Sequence, residues 1–272
     1  EVPDILAELA SVEMHAIQSS GNCIRNTTSD QYAGVAVDEI EDSRAYAELI
    51  RQWSTFHPEF NWLPRKFKIA VTGSREDRAA VQVHDIGVRL VEKDGKVGLQ
   101  ILAGGGLGRT PVLGSVIKEY LEKEHMLTYI EAILRVYNRY GRRDNKYKAR
   151  IKILVRAMTA EVFAEKVEQE WLSIKDGPGT LTEAEIARAK SFFTRPAYKA
   201  LPEESEELTA ALKANLAFNA WMTRNVKSHQ ETGYAIVNLA LKETGVAPGD
   251  VTDEQMDVIA DLADTYSFGE LR

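Results

Sequence analysis

The sequence predicts an α+β fold, and three observations carry that expectation. Apolar residues recur at helical spacing in two N-terminal stretches; a run with a two-residue period follows at 65–72; and an Asp-Gly pair then separates two alternating apolar segments before the helical period returns. Together they point to a mixed α/β domain followed by part of a smaller α+β unit.

In chain order, Pro3 and Asp4 open a first helix with Ile5, Leu9, Val12 and Ala16 at helical spacing, expected to run until just before Asn22 in the Ser19-Ser20-Gly21-Asn22 break. A second helical stretch is expected from about Asp38, with Tyr46, Leu49, Ile50 and Trp53 at i, i+3, i+4 and i+7, stopping by His57-Pro58. Over 65–72 the period changes to two: Phe67, Ile69 and Val71 take one side of a strand, and Lys66, Lys68 and Ala70 the other. Residues 86–92 and 97–103 flank Lys93-Asp94-Gly95-Lys96 and read as a hairpin whose second strand runs into Gly104-Gly105-Gly106-Leu107-Gly108. From 111 to 171 the pattern is mainly helical, marked by Leu127, Ile130, Leu134 and Tyr137 and then by Val162, Val167 and Trp171. Gly177-Pro178-Gly179 interrupts it, a short helix is expected near Thr182, and the polar run 202–207 is expected to link two modules. Beyond it, 217–225 and 234–241 read as strands, and Thr252-Asp253-Glu254-Gln255 as the capping box of a helix carrying Met256, Ile259, Leu262 and Ala263.

Composition excludes several classes of function. With 34 basic against 41 acidic side chains, the net charge of -7 argues against nucleic-acid binding through overall charge. No apolar run reaches the roughly 18 residues of a membrane span, and a cytoplasmic setting is expected. The single cysteine, Cys23, permits neither an internal disulfide nor a set of thiolates for a metal or an iron-sulfur cluster. His15, His57, His84, His125 and His229 have no metal-like spacing, and none stands in a Ser or Cys motif that would suggest a hydrolase.

The residues that could carry chemistry are basic. Strand alternation places Lys66 and Lys68 on one face about 6.5 to 7 Å apart. Two ammonium groups sharing that space form either a solvated face or an anion site. Arg25, after the turn at 21–24, carries a planar fork suited to a carboxylate or an oxyanion. The glycine run at 104–108 is either a turn or a loop that offers backbone N–H groups to an anion, and it lacks the Gly-Lys-Ser/Thr ending of a nucleotide loop. The basic stretch from Arg139 to Lys152, with Tyr140 and Tyr147 among its lysines and arginines, is either a solvated helix end or a surface for an acidic cofactor or partner.

Taken together, Ser20-Gly21-Asn22-Cys23-Ile24-Arg25-Asn26, Leu63-Pro64-Arg65-Lys66-Phe67-Lys68, His84-Asp85-Ile86-Gly87 and the glycine run resemble, in order, the sirohaem-dependent sulfite and nitrite reductases. The resemblance implies six-electron reduction of sulfite to sulfide, or of nitrite to ammonia, at sirohaem coupled to a 4Fe-4S cluster. It implies that Arg25, Lys66 and Lys68 surround the substrate, and that Arg65 and Asn26, with Gly105 and Gly106 of the loop, help those three seat the macrocycle. Lys-x-Lys, as in Lys66 and Lys68, is the tendency of the sulfite enzymes, whereas Asn at the second position is that of ferredoxin-dependent nitrite reductases. Sulfite is therefore the first expectation, nitrite the alternative, and an inactive sirohaem- or anion-binding module a further one. The expected division is a helix at 1–21 from a preceding ferredoxin-like half-domain, a sirohaem-type domain at 22–175, a linker with a short helix at 176–211, and an incomplete second ferredoxin-like half-domain at 212–272. The family takes its cluster cysteines from a later domain and one further substrate arginine from an earlier one; Cys23 does not match that cysteine pattern. The chain is thus expected to be the middle of a reductase, working with its remaining half and with ferredoxin or a flavoprotein as electron donor.

Overall fold

In the computed structural model, which describes residues 1–272, helix α1 (Val2–Ser11) ends well before Asn22. Its apolar stripe finds nothing to pack on: no residue of the helix is buried, and Ile5 and Val12 are exposed. A helix without a buried face has little to hold it beyond its own hydrogen bonds, and left-handed backbone at Glu13 and Gln18 closes off its continuation. This helix belongs to the first of two units, Glu1–Ala33 with Asp38–Phe193.

The first unit continues through β1 (Ile24–Ser29), α2 (Arg44–Ser54), β2 (Phe67–Thr72), β3 (Ile86–Lys93), β4 (Lys96–Ala103) and β5 (Ser115–Leu121). Four helices follow, α3 (Met126–Tyr140), α4 (Ile151–Met158), α5 (Ala160–Leu172) and α6 (Glu183–Lys190). Helix α2 starts later than its periodicity suggests because the residues before it are held in turns and bends against the segment after β2. Ile40 donates its N–H to the Gly73 carbonyl, Glu39 bridges Ser74, and Asp38 pairs with Arg78. Strand β5 lies inside a stretch that reads as helical, a correction that follows from its antiparallel pairing with β4 and from Ile117 and Leu121 turning into the core.

The strands form one mixed sheet in sequence order: β1, β2 and β3 are parallel, and β3, β4 and β5 antiparallel. The β3–β4 hairpin turns at Asp94-Gly95, both left-handed, as a two-residue hairpin requires. Phe67, Ile69 and Val71 of β2 are fully buried in one core with Ile130, Ile133, Leu134 and Tyr137 of α3. Each such side chain removed from water contributes about 1.5–3 kcal/mol, enough to fix the register of β2 and hence the side on which Lys68 emerges. The opposite face of β2 is not simply solvated: Ala70 is buried against Val81 and Leu102.

This topology gathers the site. Parallel β1, β2 and β3 all begin at one end of the sheet, β4 finishes there, with Ala103 opposite Ile86, and β5 starts there, with Ser115 opposite Ala103.

The second unit, Gly34–Val37 with Thr194–Arg272, contains α7 (Glu206–Ala214), α8 (Leu216–Asn225), β6 (Val226–Ser228), β7 (Ala235–Val237) and α9 (Asp253–Tyr266). Residues 217–225, read as a strand, are helix α8. The Asn215 side chain caps it at the Phe218 N–H (3.0 Å), and Phe218 and Trp221, aromatic residues that suggest a strand, stack at i, i+3 spacing. The strand expected at 234–241 is real but short, pairing with β6 over three residues. The Thr252–Gln255 capping box forms as expected. Tyr198, His229, Tyr234 and Phe268 cluster edge to face and stacked within this unit.

Candidate functional site

At the shared end of the sheet, Arg25 is the second residue of β1, Lys66 immediately precedes β2, and Lys68 is its second residue. The turn before β1 fixes Arg25. Gly21, in a left-handed conformation open to glycine, lets the chain fold back so that Arg25 Nε donates to the Gly21 carbonyl (3.0 Å) and Nη1 to that of Ser19 (2.7 Å). Asn26 follows on the same strand and is exposed. Cys23 donates its thiol to the Ser20 carbonyl at 3.3 Å.

Arg65, Lys66 and Lys68 lie close enough to Arg25 for the charges to act on one another. The Lys68 ammonium, then burial, then Arg150, Arg25 and Arg65 push Lys66 below the ordinary lysine range. Neither ammonium is in an ion pair or a side-chain hydrogen bond: the acid nearest to them by contact, Asp85, is turned to other partners.

Asp85 sits just before β3 and is fully buried. Its Oδ2 accepts the Lys68 backbone N–H at 2.9 Å, and its Oδ1 accepts Arg150 Nε at 3.0 Å and Nη2 at 2.7 Å. Its own carbonyl accepts the Gly104 N–H at 3.0 Å. The regular β2–β3 pairing begins at Ile69 and Ile86, so the Asp85 carboxylate supplies one further rung beyond the ladder. Burial pushes this carboxyl above the usual carboxylate range, against the pull of Arg150 and the Lys68 N–H.

The glycine loop is buried at 104–106 and exposed from Leu107 to Thr110. Gly104 is left-handed and lies on Val155 of α4; a side-chain carbon at Gly105 would come within 2.4 Å of the Gln82 and His84 carbonyls. At Gly106 it would stand 3.0 Å from Lys152 and 3.1 Å from Arg150. Lys152, nearly buried, donates Nζ to the carbonyls of Leu107 (3.1 Å) and Thr110 (2.6 Å), and burial, then Arg150, holds it below the ordinary lysine range.

The basic stretch therefore divides. Arg142 pairs with Asp144, Arg139 with Glu170, and Arg143 donates to the Trp62 carbonyl and the Asn138 side chain, all away from the lysines of β2. Arg150 and Lys152 instead join the site. The sequence offers Arg150 and Lys152 only as part of a basic stretch that could face an acidic cofactor or partner, and it gives Asp85 no role beyond its place in the His84-Asp85 motif.

The nitrite and sulphite reductase 4Fe-4S domain model matches residues 20–175, more than half of the chain, and takes in all of these residues. The chain belongs to the nitrite and sulphite reductase family. It is 27% identical over 280 residues to the chloroplastic ferredoxin–nitrite reductase of Arabidopsis thaliana, covering 100% of this chain and 42% of that protein. It is 34% identical over 182 residues to sulfite reductase (ferredoxin) 1 of Mycolicibacterium paratuberculosis, covering 65% of this chain and 32% of the relative. Among solved structures, the Mycobacterium tuberculosis NirA protein superposes with a TM-score of 0.57 at 30% identity, over 65% of this chain and 33% of that one. The chain thus spans about a third to two fifths of the length of these proteins, and the two curated relatives are a nitrite and a sulfite reductase. No helix is long and apolar enough to cross a membrane.

Proposed function

We propose that this chain supplies the cationic face of a sirohaem-dependent reductase, holding the anionic macrocycle and its anionic substrate, with sulfite as the preferred substrate and nitrite as the second. The observation that carries this reading is the convergence of Arg25, Arg65, Lys66, Lys68 and Arg150 at one sheet end, where the only carboxylate in contact, Asp85, answers Arg150 alone. Four cations kept close without counter-ions, beside a fifth that has one, suit an anion that arrives from outside.

The residues fit a tetrapyrrole bearing carboxylates. Arg25 and Arg65 present guanidinium groups, and Gly106 carries no side chain where the loop comes up against Arg150 and Lys152. When bound, sirohaem supplies the iron at which the substrate is reduced. Lys66 and Lys68 then hold the substrate's oxygens and donate protons as those oxygens leave as water, a transfer eased by the loosely held Lys66 proton. The residues present do not fit a 4Fe-4S cluster: four thiolates are needed and the chain has Cys23 alone. In this reading the cluster ligands lie in the remaining half of the reductase, ferredoxin or a flavoprotein delivers the electrons, and the second unit opens a ferredoxin-like half-domain.

Sulfite rather than nitrite is favoured because two lysines face the substrate. Near neutral pH sulfite carries more negative charge than nitrite, so a second ammonium adds more to its binding. Lys66→Met and Lys68→Met, made in the holoenzyme, should each lower sulfite turnover by about 10²–10³-fold with the tetrapyrrole absorption retained. Unchanged turnover with the cofactor in place would refute the assignment. Lys68→Asn should raise the ratio of nitrite to sulfite kcat/KM; a ratio that does not move would leave nitrite and sulfite on an equal footing.

A further inference from the structure

We propose that Asp85 is the positioning residue of the anion site: it sets the backbone from which Lys68 projects and orients Arg150 beside it. The inference rests on the proposed anion-binding role of Lys66 and Lys68. Asp85 reaches three separate segments, the start of β2 through the Lys68 N–H (2.9 Å), the residue before α4 through Arg150 (2.7 and 3.0 Å), and the glycine loop through its own carbonyl to Gly104 N–H (3.0 Å). With no exposed surface, its carboxylate has no water to turn to, so the three contacts define one geometry. Arg150 uses Nε and Nη2 on Asp85, which leaves the Nη1 side of a guanidinium already fixed in its plane. A lysine on an unanchored strand end would sample many positions; Lys68 sits where a side chain supplies the rung that the β2–β3 ladder lacks.

Asp85→Asn separates geometry from charge because the two predict opposite signs. Removing a negative charge beside a cationic site should, by electrostatics alone, tighten anion binding. Loss of position should weaken it: the asparagine oxygen can still accept the Lys68 N–H, but its NH₂ then meets the two donors of Arg150. The measurement is the dissociation constant of sulfite for the holoenzyme, read from the change in tetrapyrrole absorption, with KM and kcat followed separately. At least tenfold weaker binding, with KM raised more than kcat is lowered in enzyme that remains folded and keeps its cofactor, is expected. Unchanged or tighter binding would overturn the proposal. Arg150→Lys keeps the charge, disturbs folding less and loses only the fork, so it should weaken sulfite binding several-fold; no change there would also overturn it. Lys66→Met in the same assay keeps the two ideas apart: if it weakens binding while Asp85→Asn and Arg150→Lys do not, the anion site stands and Asp85 has no part in positioning it. If Lys66→Met has no effect either, the anion-site reading itself fails.

Discussion

The Lys68 ammonium is the largest influence on the Lys66 proton, ahead of burial, Arg150, Arg25 and Arg65, and all of them push the same way. Removing the first should therefore relieve more of the depression than removing any other single cation. Lys68→Met is expected to raise the titration midpoint of Lys66, followed by ¹⁵N-detected NMR of the side-chain nitrogen; a midpoint that stays or falls would show that the two ammonium groups do not share a field. At this scale the site was partly legible from sequence. Lys66 and Lys68 are two residues apart on a strand, so local alternation was enough to put them on one face, and Arg25 entered through a motif. Asp85 and Arg150 are 65 residues apart, and their pairing depends on a loop and a helix start meeting at the end of a sheet. No local period encodes that contact, so the sequence alone does not separate Arg150 from basic neighbours such as Arg142, whose partner Asp144 is two residues away.

Between elements, Glu41 does for the opposite side of the first unit what Asp85 does for the site. It lies just ahead of α2, and its carboxylate meets Lys123 beyond β5 (2.7 Å), Lys190 of α6, and the Tyr46 hydroxyl of α2 (2.6 Å). Burial alone would raise this carboxyl, but the hydrogen bonds from Lys123, Lys190 and Tyr46 outweigh it and hold Glu41 below the usual carboxylate range. A carboxyl depressed in the folded state stabilises the protein above the unfolded-state value, and that contribution is lost as the pH falls through the lower folded value. Glu41→Gln should accordingly cost about 1–3 kcal/mol at neutral pH and progressively less in acid, where the wild type has lost the same contribution; urea unfolding at neutral and acid pH measures the difference. A cost that is the same at both would place Glu41's contribution in packing rather than charge. Elements whose signals are local were the legible ones: the Asp94-Gly95 hairpin, and the caps at Thr182 and Thr252. Strand β5 was not, because it is followed at once by the turn into α3 and its period merges with that helix. Helix α8 reads as a strand because aromatic residues suit a strand as well as a helix, and its Asn215 cap is a single residue.

Across the whole chain, the two units differ in how much they bury. The first holds a continuous core from Ile24 to Ala189, whereas α7 and α8 bury no residue and α9 buries only Ala263. Leu216 and Tyr266 are 81% and 77% exposed, so the apolar side of these helices adds little to their stability. Local opening is limited by the apolar contacts that must be broken, and a helix with almost none opens at a cost near that of fraying. Apart from α1, which buries nothing, hydrogen exchange of the chain should therefore divide at the unit boundary. Backbone amides of β2, β3 and β4 should be protected close to the global stability of the first unit, and those of α7, α8 and α9 should exchange at least about a hundredfold faster, equivalent to roughly 2.7 kcal/mol or more. Equal protection in both would mean that the second unit is held by something other than its own core. The amide of Lys68 makes the comparison sharper, because it lies outside the regular ladder and is held by Asp85 alone. If it exchanges with the core of the first unit rather than with its loops, the cationic site is as rigid as the sheet that presents it.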